Sequence, residues 1–249
     1  MRINKFLAEA GVCSRRAADE LVLAGAVRVN GVVVDTPGIQ VDEAQDRVEV
    51  RGKTVTLPTA AACCIMLNKP LQVVSTVHDP QGRRTVIDCL PRELLNAGGR
   101  MRRLYPVGRL DFFSEGLLLL TDDGALTQRL VHPRHHIPKV YRVTVRGAVT
   151  AAVLETMRRG MTLAEGEKLA PVEVRVVRRE GDAALLELTL HQGLNRQIRR
   201  MCRDLGLTVL RLVRTKQGPL SLDGLPSGAA RLLTPAELAA IRKAAGLPE

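Results

Sequence analysis

Two rhythms of apolar residues run along the chain, one helical and one alternating. Ile3, Phe6, Leu7 and Ala10 recur at helical spacing, and Gly11 stops that helix. Ser14 suits an N-cap for a second helix over 15–24, with Gly25 as its terminator. Segments 26–30 and 32–34 alternate around Asn30-Gly31, a dipeptide that favours two-residue hairpins because both positions tolerate positive φ. Segments 48–50 and 53–57 repeat the arrangement around Arg51-Gly52. Pro58-Thr59-Ala60-Ala61-Ala62 then reads as a short, featureless linker.

Beyond the linker the elements lengthen. Segment 63–67 predicts a buried strand ending at Asn68-Lys69-Pro70, with 72–77 as its partner. Segments 107–110 and 117–121 flank a loop that holds Asp111. A helix is expected over 125–131, before Pro133, and strands over 140–145, 172–178 and 185–191. Segment 195–205 is a basic helix closed by Gly206, and 208–213 follows as a strand. Thr234-Pro235-Ala236-Glu237 is a capping box with Pro at the first helical position. Strands and helices mix without a strict βαβ rhythm. The pattern therefore predicts an α+β fold: a small N-terminal α/β domain (1–57), a linker (58–62), and a larger domain (63–249) with a mostly antiparallel sheet.

Composition adds a partner. The 37 basic residues exceed the 26 acidic ones, giving a net charge of +11, which points to a polyanion such as RNA or DNA. Residues 1–56 are balanced, with eight basic and eight acidic side chains; the surplus lies in 92–109, 129–146 and 196–216. The chain has no Trp, two Tyr and three Phe, so its core is aliphatic and stacking of many bases on aromatic platforms is excluded. Five cysteines without a CxxC spacing suggest reduced thiols and a cytoplasmic protein. The N-terminus lacks a secretory pattern, and the longest apolar run, 117–120, is far below membrane-spanning length, so no membrane partner is expected.

Two stretches stand out chemically. Gly108-Arg109-Leu110-Asp111-Phe112-Phe113-Ser114-Glu115-Gly116 puts a carboxylate in a loop between apolar runs, with Arg109 beside it and glycines at its bounds. Asp111 either performs chemistry or caps a turn. On a helix, Arg196, Arg199, Arg200 and Arg203 cover one broad side, and Ile198, Met201, Cys202 and Leu205 face the core. No acidic residue accompanies Arg196 or Arg199 at helical spacing, so their forked donors suit phosphates. A metal-dependent nuclease using Asp111, Glu115, Asp122 and Asp123 is one rival reading, and a non-catalytic RNA-binding or ribosome-assembly protein is another. His132, His135 and His136, with Pro133 interposed, read as an RNA-facing or solvated loop rather than a metal site.

Both stretches closely resemble motifs of the RsuA/RluB-type rRNA pseudouridine synthases, whose pattern around the catalytic aspartate is similar to residues 108–124. Further similarity lies in Leu67-Asn68-Lys69-Pro70, Lys139-Val140-Tyr141, 193–201 and Leu212-Val213-Arg214-Thr215. Ser14-Arg15-Arg16-Ala17 and Val27-Arg28-Val29-Asn30-Gly31 resemble an S4 RNA-binding domain. The resemblance implies a synthase domain with a central cleft and no cofactor or metal. It implies that Asp111 attacks the target nucleotide and Arg199 pairs with it. Tyr141 stacks on the flipped base and assists removal of its C5 proton, and Ile198 and Leu212 wall the uracil pocket. Arg109, Arg196, Arg200, Arg203, Arg214 and Lys69 become RNA contacts, together with Arg15, Arg16 and Arg28 of the small domain. Phe112-Phe113 replaces a more usual polar or aliphatic pair, and Gln217 stands where Ile is frequent. The expected partner is ribosomal RNA, naked or in a pre-ribosomal particle. Large-subunit (23S) RNA is favoured over 16S because Asp79-Pro80-Gln81-Gly82-Arg83 and 195–201 look closer to the RluB branch. Nothing in the chain demands more than a monomer.

Overall fold

The first ordered decision along the chain is the Ser14 cap. Its Oγ accepts from the Ala17 amide at 3.1 Å and starts α2 (Arg15–Leu23) after α1 (Ile3–Glu9). A computed structural model of the chain describes residues 1–58, 62–97 and 100–248. The central residues of the expected 58–62 linker, 59–61, lie outside the described residues. Strands β1 (Val27–Val29) and β2 (Val32–Val34) pair with Val29 opposite Val32, across Asn30 and Gly31 at φ 52° and 82°. Strands β3 (Val48–Val50) and β4 (Lys53–Val55) form a second hairpin, and the sheet runs β2-β1-β3-β4. Ile3, Leu7, Ala18, Val22, Val27 and Val48 form its core.

The chain divides into two compact units, 1–62 with 96–103, and 63–95 with 104–249. After β5 (Cys64–Lys69) and the helical turn α3 (Arg92–Leu95), the ladder of β6 (Asn96–Ala97) and β7 (Arg100–Met101) groups with the first unit, although it falls inside the expected second domain. The second unit continues through β8 (Tyr105–Pro106), β9 (Glu115–Thr121), α4 (Gly124–Val131), β10 (Lys139–Arg146) and α5 (Ala151–Arg159). It ends with β11 (Glu173–Glu180), β12 (Ala183–Leu190), α6 (Gln197–Asp204), β13 (Thr208–Gln217), β14 (Leu220–Ser221), β15 (Ala230–Leu232) and α7 (Pro235–Ala244). Its sheet has nine strands, ordered β11-β12-β10-β13-β9-β5-β15, with β8 on β9 and β14 on β13. Every ladder is antiparallel except β13 with β9. The α+β expectation with a largely antiparallel sheet therefore holds.

Strand β9 is buried at every position, so both of its faces must be apolar. Leu118 and Leu120 pack with Ile65 and Leu67 on one side; Leu117 and Leu119 pack with Met66, Leu126 and Ile241 on the other. Asp123 caps α4, and both bonds of the Thr234–Glu237 capping box are made at α7.

Several expectations need correction. Segment 72–77 is not the partner of β5, which pairs with β9 and β15. Pro70 cannot donate to a ladder, and Gln72 at φ 58° turns the backbone away. This segment braces the Asp111 loop instead: the Gln72 amide donates to the Phe112 carbonyl at 2.9 Å, and Ser75 Oγ donates to Leu110 O at 2.7 Å and accepts from Leu110 N at 3.1 Å. Residues 107–110 form no strand. Helix α5 and strand β15 were not anticipated, although Thr150 caps α5 and Leu154 and Met157 bury its inner face. No described helix is long and apolar enough to cross a membrane.

Candidate active site

The loop between β8 and β9 carries Asp111 to the wall of a cleft of about 440 Å³, within the roughly 300–1,000 Å³ usual for ligand sites. The loop is held from within by the Ser114 amide on the Asp111 carbonyl (3.0 Å) and by the buried side chain of Leu110. The opposite wall comes from β10, β13 and the start of α6, which supply Tyr141, Leu212, Arg214 and Ile198. Tyr141 stands directly opposite Arg214 across the β10–β13 ladder. Asp111, Tyr141, Ile198 and Leu212 thus line one cavity, although 30 to 101 residues separate Asp111 from the others.

The cation beside Asp111 differs from the expected one. Arg196 Nη1 lies 3.9 Å from Asp111 Oδ2. Arg199 donates through Nη2 to the Phe113 carbonyl at 2.5 Å rather than forming the expected pair with Asp111. Arg196 occupies the left-handed N-cap of α6 at φ 50°, which turns its side chain to the loop ahead of the helix; Arg199 sits one turn further on. Burial pushes the Arg199 guanidinium down, the neighbouring Arg196 adds to this, and Asp111 opposes it. The two arginines therefore grip the Asp111 loop from one helix end, one through the carboxylate and one through a carbonyl.

The other helix arginines are committed elsewhere. Arg200 pairs with Glu167, and Arg203 pairs with Glu165 and Asp204, both at 2.7 Å. These partners raise both guanidinium pKa values. Glu165 and Glu167 sit in the loop between α5 and β11, too far away in sequence for helical spacing to reveal them. Arg200 and Arg203 are thus engaged in ion pairs within the protein. Arg214 is 3% exposed, and its Nε donates to the Leu117 carbonyl at 2.7 Å. Lys69 is fully buried, with Nζ on the Pro70 carbonyl at 2.9 Å, and burial lowers its pKa to about 8. Lys69 presents no surface to RNA, whereas Arg214 lines the cleft. Arg109 is exposed on the cleft wall. In the first unit Arg15, Arg16 and Arg28 are all exposed.

Among the cleft residues that escaped the sequence reading as site residues are Lys139 and Gln217, which face each other across β10 and β13. Burial, then Arg214, lowers Lys139 to about 8. The available signal was its position two residues before Tyr141, hence on the same face of a strand.

The four acids of the nuclease reading do separate jobs. Glu115 holds Arg211 through two hydrogen bonds, Asp122 accepts from the Cys63 amide, and Asp123 caps α4 and pairs with Arg242. Among the described residues no group of three or more His, Cys, Asp or Glu side chains is arranged to hold a metal. What remains is a half-buried carboxylate, flanked by two guanidinium groups, an aromatic ring and aliphatic walls. Such a carboxylate can attack or stabilise an electron-poor carbon.

A family model described as RNA pseudouridylate synthase matches residues 64–204, and one for the S4 domain matches 1–48. An uncharacterized RNA pseudouridine synthase of Aquifex aeolicus is 43% identical over 99% of this chain and 96% of its own. The Bacillus subtilis ribosomal large subunit pseudouridine synthase B is 39% identical over 97% and 95%. A solved structure of a pseudouridylate synthase has a TM-score of 0.67 at 30% identity, covering 97% of this chain and 99% of that one.

Proposed function

The chain belongs to the RNA pseudouridylate synthase family, enzymes that isomerise uridine to pseudouridine, and from that premise we propose that it modifies a uridine of large-subunit ribosomal RNA through Asp111. The observation that carries the assignment is the braced loop, gripped by Arg199 at the Phe113 carbonyl, that holds the Asp111 carboxylate in one cleft with Tyr141 and Arg196. The large-subunit substrate is supported by the similarity to the B. subtilis enzyme over nearly the whole chain. Residues 1–57 act as the S4-type RNA-binding domain and 63–249 as the catalytic domain of a cytoplasmic monomer. The RNA is taken naked or within a pre-ribosomal particle.

The target base must first leave its stack, at a cost of a few kcal/mol. Stacking on Tyr141 offsets on the order of 1–3 kcal/mol of that. Asp111 then engages C1′ as the N1–C1′ bond breaks and its electron pair passes to the uracil. The base turns, C5 bonds to C1′, and the C5 proton departs with help from Tyr141 while N1 gains one. Atoms balance without an oxidant or an energy source. Arg196 beside the carboxylate and Arg199 on the Phe113 carbonyl keep Asp111 aimed, because a carboxylate withdrawn from water needs a nearby cation.

The test uses large-subunit rRNA transcribed with uridine tritiated at C5. The parent protein releases tritium, and Asp111→Asn reduces release to background while RNA affinity stays within about threefold, as expected when a chemical group is lost but the electrostatic contacts remain. Equal release from both proteins would falsify the role of Asp111. A parent that binds the RNA but releases nothing supports the non-catalytic reading instead.

A further inference from the structure

Three enclosed polar atoms of cleft residues have no partner among the described residues: Ser114 Oγ, Arg214 Nη2 and Gln217 Oε1. Their residues are 1%, 3% and 1% exposed. Buried donors and acceptors are almost always matched, and the three residues that carry these orphans line one cavity, so an external partner is called for. One is a donor, one an acceptor, and the hydroxyl can be either.

The strand register explains how Gln217 reaches the cavity. Strands β13 and β10 pair as Tyr141 with Arg214, Val140 with Lys216 and Lys139 with Gln217, which leaves Thr215 as an extra residue. In a regular strand, residues three apart point to opposite faces. The bulge turns Arg214 and Gln217 onto one face, the face that carries Tyr141. Sequence position alone places Gln217 on the wrong side.

We propose that Gln217 and Arg214 read the pyrimidine edge of the nucleotide that stacks on Tyr141, which makes Gln217 a specificity-determining residue. The proposal rests on the synthase reading above. Uracil presents N3–H between two carbonyls. The Gln217 carboxamide oxygen accepts from N3–H, and the Arg214 guanidinium donates to the adjoining carbonyl. Cytosine carries an acceptor at N3, so it leaves Gln217 Oε1 facing a lone pair. The same pair serves the reaction. When the N1–C1′ bond breaks, the base takes the electron pair and its carbonyl oxygens become more negative. The Arg214 donor then binds more strongly, with the Lys139 charge opposite Gln217 adding to the effect. Among the described residues Gln217 makes no side-chain hydrogen bond through its oxygen, so a purely structural role predicts nothing of this kind.

Gln217→Leu in the full chain separates the possibilities. Under single-turnover conditions on the tritiated rRNA transcript, release slows about 5- to 30-fold, the usual consequence of losing one hydrogen bond to a buried group. Thermal stability stays level or rises, because an orphaned polar group has been removed. A synthetic hairpin built around the uridine located by pseudouridine mapping, compared with the same hairpin carrying cytidine there, reads discrimination directly. The parent binds the uridine hairpin more tightly, and Gln217→Leu shrinks that preference by a similar factor. Unchanged release and preference overturn the proposal. So does slower release accompanied by a lower melting temperature and an intact preference, which assigns Gln217 to packing. A parent that releases no tritium at all overturns the synthase reading itself, a result distinct from either.

Discussion

Gly116 carries a backbone constraint that can be measured. It lies at φ +107°, where β9 meets β13 in the sheet's one parallel ladder, opposite Arg214. A Cβ there would stand 2.2 Å from the Arg214 carbonyl oxygen, 2.7 Å from its nitrogen and 2.9 Å from its carbonyl carbon. These are backbone atoms of a strand locked to β10 on its other side, so no rotamer change relieves them. The left-handed φ costs about 1–3 kcal/mol in a non-glycine residue. Overpacking against fixed atoms costs about 1–3 kcal/mol more. Gly116→Ala should therefore destabilise by about 4 kcal/mol. At roughly 2–4 °C per kcal/mol for a chain of this size, the melting temperature falls by about 8–16 °C. Gly108→Ala is the control. Its φ of +74° carries the same backbone cost, but the nearest atom to its Cβ is Val131 Cγ2 at an ordinary 3.8 Å, so its loss is about 1–3 kcal/mol with no clash added. With no tryptophan in the chain and both tyrosines, Tyr105 and Tyr141, in the second unit, tyrosine fluorescence during heating reports on that unit alone. Equal shifts for the two variants, or a smaller shift for Gly116→Ala, refute the close-approach argument. Below its melting point, Gly116→Ala should also slow turnover by up to about 100-fold, because a displacement of β13 near 1 Å moves Arg214 relative to Asp111.

Two further outcomes are expected. Arg196→Ala should weaken RNA binding and flatten its dependence on salt by about one unit of logarithmic slope, the change for one lost phosphate contact, whereas Arg203→Ala, already held by Glu165 and Asp204, leaves the slope unchanged; filter binding between 50 and 200 mM salt distinguishes them, and matching slopes reject the assignment of Arg203 to an internal pair. Lys69 has a folded pKa near 8 against an ordinary 10.5, so the unfolded chain binds its proton more readily and stability rises with pH between about 8 and 10.5. Lys69→Met should be more stable than the parent at pH 7 and should show a shallower rise over that window in urea unfolding; an unaltered slope means the buried ammonium is not penalised.

Most local structure was readable from neighbouring residues. The Ser14 cap, the Asn30-Gly31 hairpin, the stop before Pro133 and the Thr234–Glu237 capping box each depend on groups within four positions, and each forms as expected. Asp111 and Tyr141 were readable through the order of motifs along the chain, and the fold brings them to one cleft. The 72–77 segment was misread because alternation alone cannot say whether a partner edge is available. Pro70 and the positive φ of Gln72 close that option, and the segment's bonds go to Phe112 and Leu110 instead.

Sequence by itself determined the caps, turns and faces of the elements, since these follow from hydrogen bonds and side-chain periods spanning a few residues. It also determined the family, through several motifs in a shared order. Tertiary structure alone decided which charges meet and which remain available. Glu165 and Glu167 neutralise Arg200 and Arg203 from a distant loop, and a bulge at Thr215 swings Gln217 into the cleft. Charge pairing and strand register depend on distances between segments far apart in the chain, and no local pattern encodes those distances.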